Sequence, residues 1–490
     1  MQPLRSPSLN RRTLLRQAFT GAMIAGASKS HRRVLAQPAA SAPLALELAR
    51  KFNRIAFARL PPKAIDHAKM IVASTLASAA SGFSIGSAQI VRALAKEQGG
   101  RPEASLWFEQ TKLPVAHAAR VNAMSSDAAA SDDSDLRNIA HTGTCLTAVA
   151  LALAERIAAG GAEVITAIVA GYQAAGRIGA ALGERRNGFH ASVIVAFGGA
   201  VAAAKLLKLS DDQMAHAISL TATTMGGLTI GTNSWAREYH AGNAALCAVN
   251  AAQAAGRGYK VNEDMLEARG GFFEVFGGDK ASMISLARET GQDWDIVNYL
   301  AIKLAPGAHA LHATAEAAVN AAQQANVPPE EIAEILVSGP GSRDQTVSAT
   351  IRPPKDRIEA IHSVAYFVAS AVADKEFSWV HATDQKLHRP VVDRLIPLVR
   401  TDPAPPPVHY GWNWGGAVAI VTKSGARFAS TVEAPRGSGP RGIAWRDIDA
   451  KFRALFPNSG LPAPRIEEIL RRIHEFDQVR QASDFTRLLR

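Results

Sequence analysis

The chain has 490 residues, of which 47% are hydrophobic, 20% charged and 6% aromatic, which excludes a disordered polymer and leaves room for two folded domains. Its formal net charge of +11 suggests an acidic partner, but residues 1–36 hold Arg5, Arg11, Arg12, Arg16, Lys29, Arg32, Arg33 and no acid. The remainder is left at +4 with no basic stripe interleaved with aromatics, which excludes a nucleic-acid interface and stays compatible with a small anionic ligand.

In chain order, "NRRTLLRQ" sets paired arginines before the short apolar run "AFTGAMIAGA", and "VLAQ" offers small residues for cleavage after Ala36. The pattern resembles a twin-arginine export signal over residues 1–36 and predicts a periplasmic mature protein, or a cytoplasmic one if the signal is unused. No later run reaches roughly 18 uninterrupted apolar residues, so no membrane span is expected once that segment is removed.

From Pro43 to about Ser282 the periodicity is helical almost throughout. "PPKAIDHAKMIVASTLASAASG" opens on prolines and closes on glycine, "CLTAVALALAERIAAGG" has its stop signal at Gly160, and Ser210 is a natural N-cap for "DDQMAHAISLTATT". No strand–helix alternation appears, so a doubly wound sheet is not expected. After Asp293 the character changes. "EIAEILVSGPG" reads as a strand entering a turn, and "GGAVAIVTKSGARFASTVEAP" as a hairpin turning at Ser424 and Gly425. Helical stretches "HALHATAEAAVNAAQQA", "DRIEAIHSVAYFVASAVAD" and "HRPVVDRLIPLVR" lie between them, and "TDPAPPPVHYGWNWGG" reads as a loop. The expected fold is mainly α with an α+β part: a large all-helical domain over 43–285, a smaller α+β lid over 290–435, and C-terminal helices over 436–490 that rejoin the first. Cys145 and Cys247 are too few for a disulfide framework or a cysteine metal site.

Four polar clusters interrupt the apolar pattern. "SDDSDLRNIAHTG" gathers Asp132, Asp133, Asp135 and His141, charged groups that a core does not bury unpaired, so it reads as a solvated loop or the lip of a site. "RRNGFHAS" places His190 before a helix, "SWAREYHAGNAA" holds Arg237 and His240, and "IKLAPGAHALHATAEAA" holds Lys303, His309 and His312. His309 and His312 lack a carboxylate at fitting spacing, so no metal site is expected. Ser134 lacks a nucleophile-elbow motif, and "GPGSRD" lacks the features of a phosphate loop. Singly, each histidine is compatible with a structural role. Together they offer proton transfer near neutral pH beside cations that hold carboxylates and stabilise an enolate-like charge.

In order and spacing these clusters resemble the MmgE/PrpD family, which includes 2-methylcitrate dehydratases, cis-aconitate decarboxylases and an iminodisuccinate epimerase. "DDSDLRNIAHTG", "GFHASVIVAFGGAVAAAKLLKLS", "REYHAGNAA", "IKLAPGAHALHATAEAA" and "PRGSGPRGIAWRDIDAKFRALF" carry the likeness from about residue 43 to the end. The resemblance implies a helical domain with an α+β lid, a homodimer, and chemistry without a metal or organic cofactor. It implies catalytic roles for His141, Asp133, Ser134 and Lys303, with His190, Arg237 and His240 binding substrate. The implied activity is a lyase that removes water or CO2 beside a carboxylate of a small di- or tricarboxylate. An isomerase or epimerase and a non-catalytic carboxylate binder use the same pocket. Four positions depart from the family pattern: Ser134 replaces a threonine, Thr142 a proline, Arg237 a lysine, and an acidic residue usual just ahead of the aspartate pair falls at Ala130 or Ser131. Arginine clamps a carboxylate but cannot serve as a base.

Overall fold

The computed structural model describes residues 42–183, 187–278, 281, 282, 286, 293–339, 342, 347–406 and 414–490. The expected export signal lies outside these residues, as do Arg185, Arg186 and most of the "GPGSRD" segment. Residues 42–490 form one unit built around two main apolar clusters.

The larger core is helical. Helices α1 (Leu44–Asn53), α2 (Pro62–Gly82), α3 (Gly86–Gln98) and α4 (Val115–Ala128) precede a run of long ones: α5 (Thr142–Ile157), α6 (Gly161–Leu182), α7 (Ser192–Leu206), α8 (Asp211–Thr224) and α9 (Ala236–Gly256). Their alanines are why they stack closely. Ala148, Ala152, Ala170, Ala174, Ala200, Ala203, Ala244 and Ala248 are nearly all fully buried, so packing here is backbone-near and dense. Ser210 caps α8 by accepting a hydrogen bond from the Gln213 amide at 3.2 Å, as its sequence position suggests. The expected stop at Gly160 arrives earlier: Ala158 takes the left-handed conformation that ends α5, and Gly160 instead precedes α6.

The second core lies in the α+β part. A four-stranded sheet has the order β6–β5–β7–β8, with β5 (Ile332–Ser338) parallel to β6 (Val399–Thr401) and antiparallel to β7 (Gly416–Thr422), which pairs with β8 (Arg427–Val432). Helix α11 (His312–Ala325) buries its alanines in the cluster formed with Ile335, Val418 and Ile420. Two stretches expected to be continuous helix are broken. "DRIEAIHSVAYFVASAVAD" divides into α12 (Arg357–Ala360) and α13 (Val364–Asp374), because Ser363 caps the second by accepting from the Tyr366 amide. "HRPVVDRLIPLVR" is α14 (Pro390–Leu395), a single 3₁₀ turn and then strand β6, Pro397 having no amide to continue a helix. The C-terminal helices α15 (Trp445–Leu455), α16 (Ala463–His474) and α17 (Ala482–Thr486) return to the larger core, where Ile448, Phe452, Ile469 and Phe485 are buried.

Two very short ladders position the site. Strands β1 (Ala104–Ser105) and β2 (Lys112–Leu113) pair locally. Strand β3 (Asp133–Asp135) pairs antiparallel with β4 (Leu300–Ile302), preceded by α10 (Asp295–Asn298). The charged stretch is therefore no solvated loop: its aspartates are buried, while its Ile139 and His141 line a cavity. Asp132, Asp133, Ser134 and Asp135 are all at most 1% exposed. Among the described residues no single helix is long and apolar enough to cross a membrane, and both cysteines are free.

Candidate active site

The β3–β4 ladder continues one residue further, where the Lys303 amide donates to the Asp132 carbonyl oxygen at 3.1 Å. That register places the Lys303 ammonium against the Asp132 carboxylate, Nζ to Oδ1 at 2.8 Å, both side chains at most 2% exposed. Asp132 Oδ2 accepts from Thr144 Oγ1 at 3.0 Å and lies 3.2 Å from His141 Nδ1. Burial pushes the Asp132 carboxyl up, but His141 and Lys303 together hold it well below the usual range. Unpaired, this buried charge would cost several kcal/mol; the two partners and the hydroxyl compensate it.

His141 stands at the start of α5 with its side chain 16% exposed. Its Nδ1 lies 2.8 Å from the Asp133 carbonyl oxygen, which only accepts, so Nδ1 carries the proton and Nε2 keeps the lone pair. Burial lowers the His141 pKa, with Asp132 opposing and Lys303 reinforcing the shift. A neutral imidazole with a fixed tautomer results, its Nε2 turned away from the aspartates. Asp133 itself accepts from the Gly143 amide at 2.9 and 3.0 Å, and burial, then the neighbouring Asp132 charge, pushes its carboxyl up to about 7.

His141, His190, Arg237, Lys303, His309 and His362 line one cavity of about 240 Å³. Arg237 projects from the first turn of α9, donates from Nη2 to the Asp127 carbonyl oxygen at 2.7 Å, and sets Nε 3.2 Å from Asp127 Oδ2. His190 Nδ1 lies 3.1 Å from Ser192 Oγ at the start of α7. His309 lines the cavity from its inner side: Nδ1 is 3.2 Å from Ser134 Oγ, and the ring packs 4.7 Å from His312 and 5.2 Å from Trp414. Burial, then His312 and Lys303, hold the His309 pKa well below its ordinary value, so it is neutral.

The seven residues singled out from the sequence thus divide. His141, His190, Arg237 and Lys303 face the cavity. Asp133 and Ser134 stand behind it and hold His141, Gly143 and His309 in place. His240 stacks 5.1 Å from His190 and flanks Gly227, with burial lowering its pKa. Sequence reasoning passed over Asp132, the centre of the charge network, and Lys451. The latter rises from α15, 1% exposed, and donates to Ser74 Oγ at 2.6 Å and to the Ser131 carbonyl oxygen. Burial, offset by Asp132 and Asp133, brings the Lys451 pKa down to about 7. Its only sequence signal was an apolar-patterned helix carrying one lysine on its buried face.

Asp127, Asp132 and His141 offer ligand atoms within 4.8 Å of one another and are the one such trio among the described residues. Arg237 and Lys303 already compensate both carboxylates, so the donor set fits a bound cation poorly.

The fold and cavity define a pocket at the junction of a helical and an α+β part, lined by a positioned neutral histidine and two cations. Residues 46–284 match the MmgE/PrpD N-terminal domain and residues 306–475 the MmgE/PrpD C-terminal domain, and the chain belongs to this family. Cis-aconitate decarboxylase of Homo sapiens is 23% identical over 447 residues, covering 88% of this chain and 91% of the relative. Cis-aconitate decarboxylase of Mus musculus is 24% identical over 394 residues, covering 77% and 79%.

Proposed function

We propose that the protein is a lyase acting on a small polycarboxylate, with a tricarboxylate as substrate and loss of CO2 as the reaction. The observation that carries this reading is the His141 ring, anchored through Nδ1 to Asp133 and Asp132 and lining a cavity shared with Lys303 and Arg237. Similarity to cis-aconitate decarboxylases along most of the chain supports it. In the proposal, Arg237 and Lys303 hold substrate carboxylates, and the electrons of the breaking C–C bond stay on a carbon whose charge spreads into an adjacent carboxylate. That carbon must then take up a proton, which His141 Nε2 delivers only after first accepting one from solvent. Asp133 and Ser134 position rather than touch substrate, and His190 lines the wall with His240 packed against it. Loss of water instead of CO2 would use the same groups, with His141 Nε2 removing the proton beside the carboxylate. The arginine-rich start supports export, and the family likeness a homodimer.

The test is proton NMR in D2O with citrate, 2-methylcitrate, cis-aconitate and tartrate, together with headspace CO2. New vinylic or methylene signals with CO2, absent in His141→Ala, are expected. Deuterium exchange without net loss of CO2 or water would replace the lyase by an isomerase; binding without any exchange would leave a binder.

A further inference from the structure

The cavity that holds His141 does not end at Arg237. Arg237 and Thr232 also line a second cavity of about 320 Å³, whose opposite wall is Arg357, Ile358 and Ile361. That wall belongs to α12 of the α+β part, so the two halves of the chain each present a guanidinium to one space. Three acids line it. Glu238 accepts from Ser87 Oγ at 2.6 Å and lies 3.7 Å from Arg237 Nε, Asp356 caps α12 through the Glu359 amide at 2.9 Å, and Asp384 stands exposed on the same cavity without a hydrogen bond to Arg357.

Arg357 differs from the other arginines of the α+β part. Among the described residues Arg352, Arg389, Arg394 and Arg427 pair with Glu359, Asp374, Glu330 and Asp402 at 2.5–2.9 Å, and Arg400 donates to the Pro397 and Val399 carbonyl oxygens. The Arg357 side chain makes no hydrogen bond or ion pair with any described residue, although it is half-buried. Burial disfavours its charge, Asp384 favours it, and Arg237 disfavours it again. Arginine does not release its proton at ordinary pH; Arg237 is balanced by Asp127 and Glu238, whereas the Arg357 guanidinium borders the cavity with no acid in hydrogen-bonding contact and leaves a place for an anion. His362, which borders the first cavity, is held neutral with a pKa of about 4 by burial and by Arg237, and supplies no countercharge.

We infer that Arg357 is a specificity-determining residue that clamps a carboxylate remote from the reacting carbon, so that the site takes a tricarboxylate in preference to a dicarboxylate. The inference rests on the polycarboxylate reading of the same site. It gives the α+β part a role in recognition: substrate held by Arg237 from below and Arg357 from above ties the two halves together.

The test compares the full chain with Arg357→Gln and Arg357→Lys. Binding of propane-1,2,3-tricarboxylate and of succinate is measured by calorimetry, and turnover of cis-aconitate by NMR. Arg357→Gln is expected to weaken tricarboxylate binding and raise KM on the order of tenfold to a hundredfold, the worth of a lost charge-assisted pair, with kcat nearly unchanged. Succinate binding should not move, and Arg357→Lys should recover part of the loss. Equal weakening for both ligands, a fall in kcat with KM unchanged, or no effect would overturn the clamp. If no polycarboxylate is turned over while tricarboxylate binding still depends on Arg357, the lyase reading fails and the clamp stands. If turnover is found and tricarboxylate binding ignores Arg357, the clamp fails alone.

Discussion

Gly143 shows how closely the site is built around one carboxylate. Its amide donates to both oxygens of Asp133, and a Cβ there would lie 2.5 Å from Asp133 Oδ1 and 2.6 Å from Ile71 Cγ2. Gly143→Ala must therefore move Asp133, whose carbonyl oxygen fixes His141. The expected result is a fall in kcat/KM of about a hundredfold, the cost of a misplaced catalytic group, with stability lowered by only about 1–3 kcal/mol. Activity unchanged in a folded variant would remove Asp133 from the positioning of His141. At this scale the sequence was legible where chemistry is local. A histidine before a helix, or an arginine and histidine in one helical turn, announces itself. Asp132 did not, because its meaning comes from Lys303, 171 positions away. Arg357 did not either, because only the ion pairs of its neighbours reveal that it has none.

Among elements, the connection from β4 to α11 does the joining. It carries Lys303 and His309, and between them Gly307 donates its amide to the Ala130 carbonyl oxygen at 3.0 Å while Ala308 donates to that of Ile361 at 2.8 Å. This strap thus touches the helical core on one side and α12's continuation on the other. Gly307 has φ +94°, and a Cβ would meet Ile361 O at 2.5 Å and Phe367 Cζ at 2.6 Å. Gly307→Ala is expected to raise KM and lower kcat together while circular dichroism stays native; a change in neither would show that the strap tolerates the shift. The hairpin at Ser424 and Gly425 was readable because alternation and turn residues coincide. Strand β3 was not. Three consecutive polar residues, Asp133, Ser134 and Asp135, look like a loop until the ladder with β4 and their charge partners bury them. The same blindness affected "HRPVVDRLIPLVR", where apolar periodicity continues through a change from helix to strand.

For the molecule as a whole, burying neutral histidines couples stability to pH. His312 is 7% exposed, its Nε2 has no hydrogen-bond partner among the described residues, and burial, then Lys303, lowers its pKa from 6.5 to about 3. A depressed value means the folded state refuses a proton that the unfolded chain accepts. Stability from this group is therefore intact above about 6.5 and is lost as pH falls toward about 3. His312→Leu should then lose less stability than the parent between pH 7 and pH 5, the difference being roughly 2 kcal/mol in urea unfolding. Parallel losses in the two proteins would show that His312 titrates normally in the folded state. The mainly helical architecture with an α+β part was legible in the sequence because it rests on long apolar periods; this acid sensitivity was not, since it depends on which histidines the packing closes over.

Lys451 gives the arrangement a dimension in time. It reaches Ser131 across 320 positions and Ser74 across 377. A ribosome making this chain releases Asp132, His141 and Arg237 well before Lys303, Arg357 and Lys451 exist. The emerging N-terminal half pairs Asp127 with Arg237 and Asp135 with Arg137, but Asp132 and Asp133 still lack Lys303 and Lys451, the cations that compensate them in the complete fold. The cavity is thus completed late in synthesis: its Lys303, His309 and His362 walls follow Arg237 in the chain, and the lysine that neutralises the acids behind it comes only with the C-terminal helices.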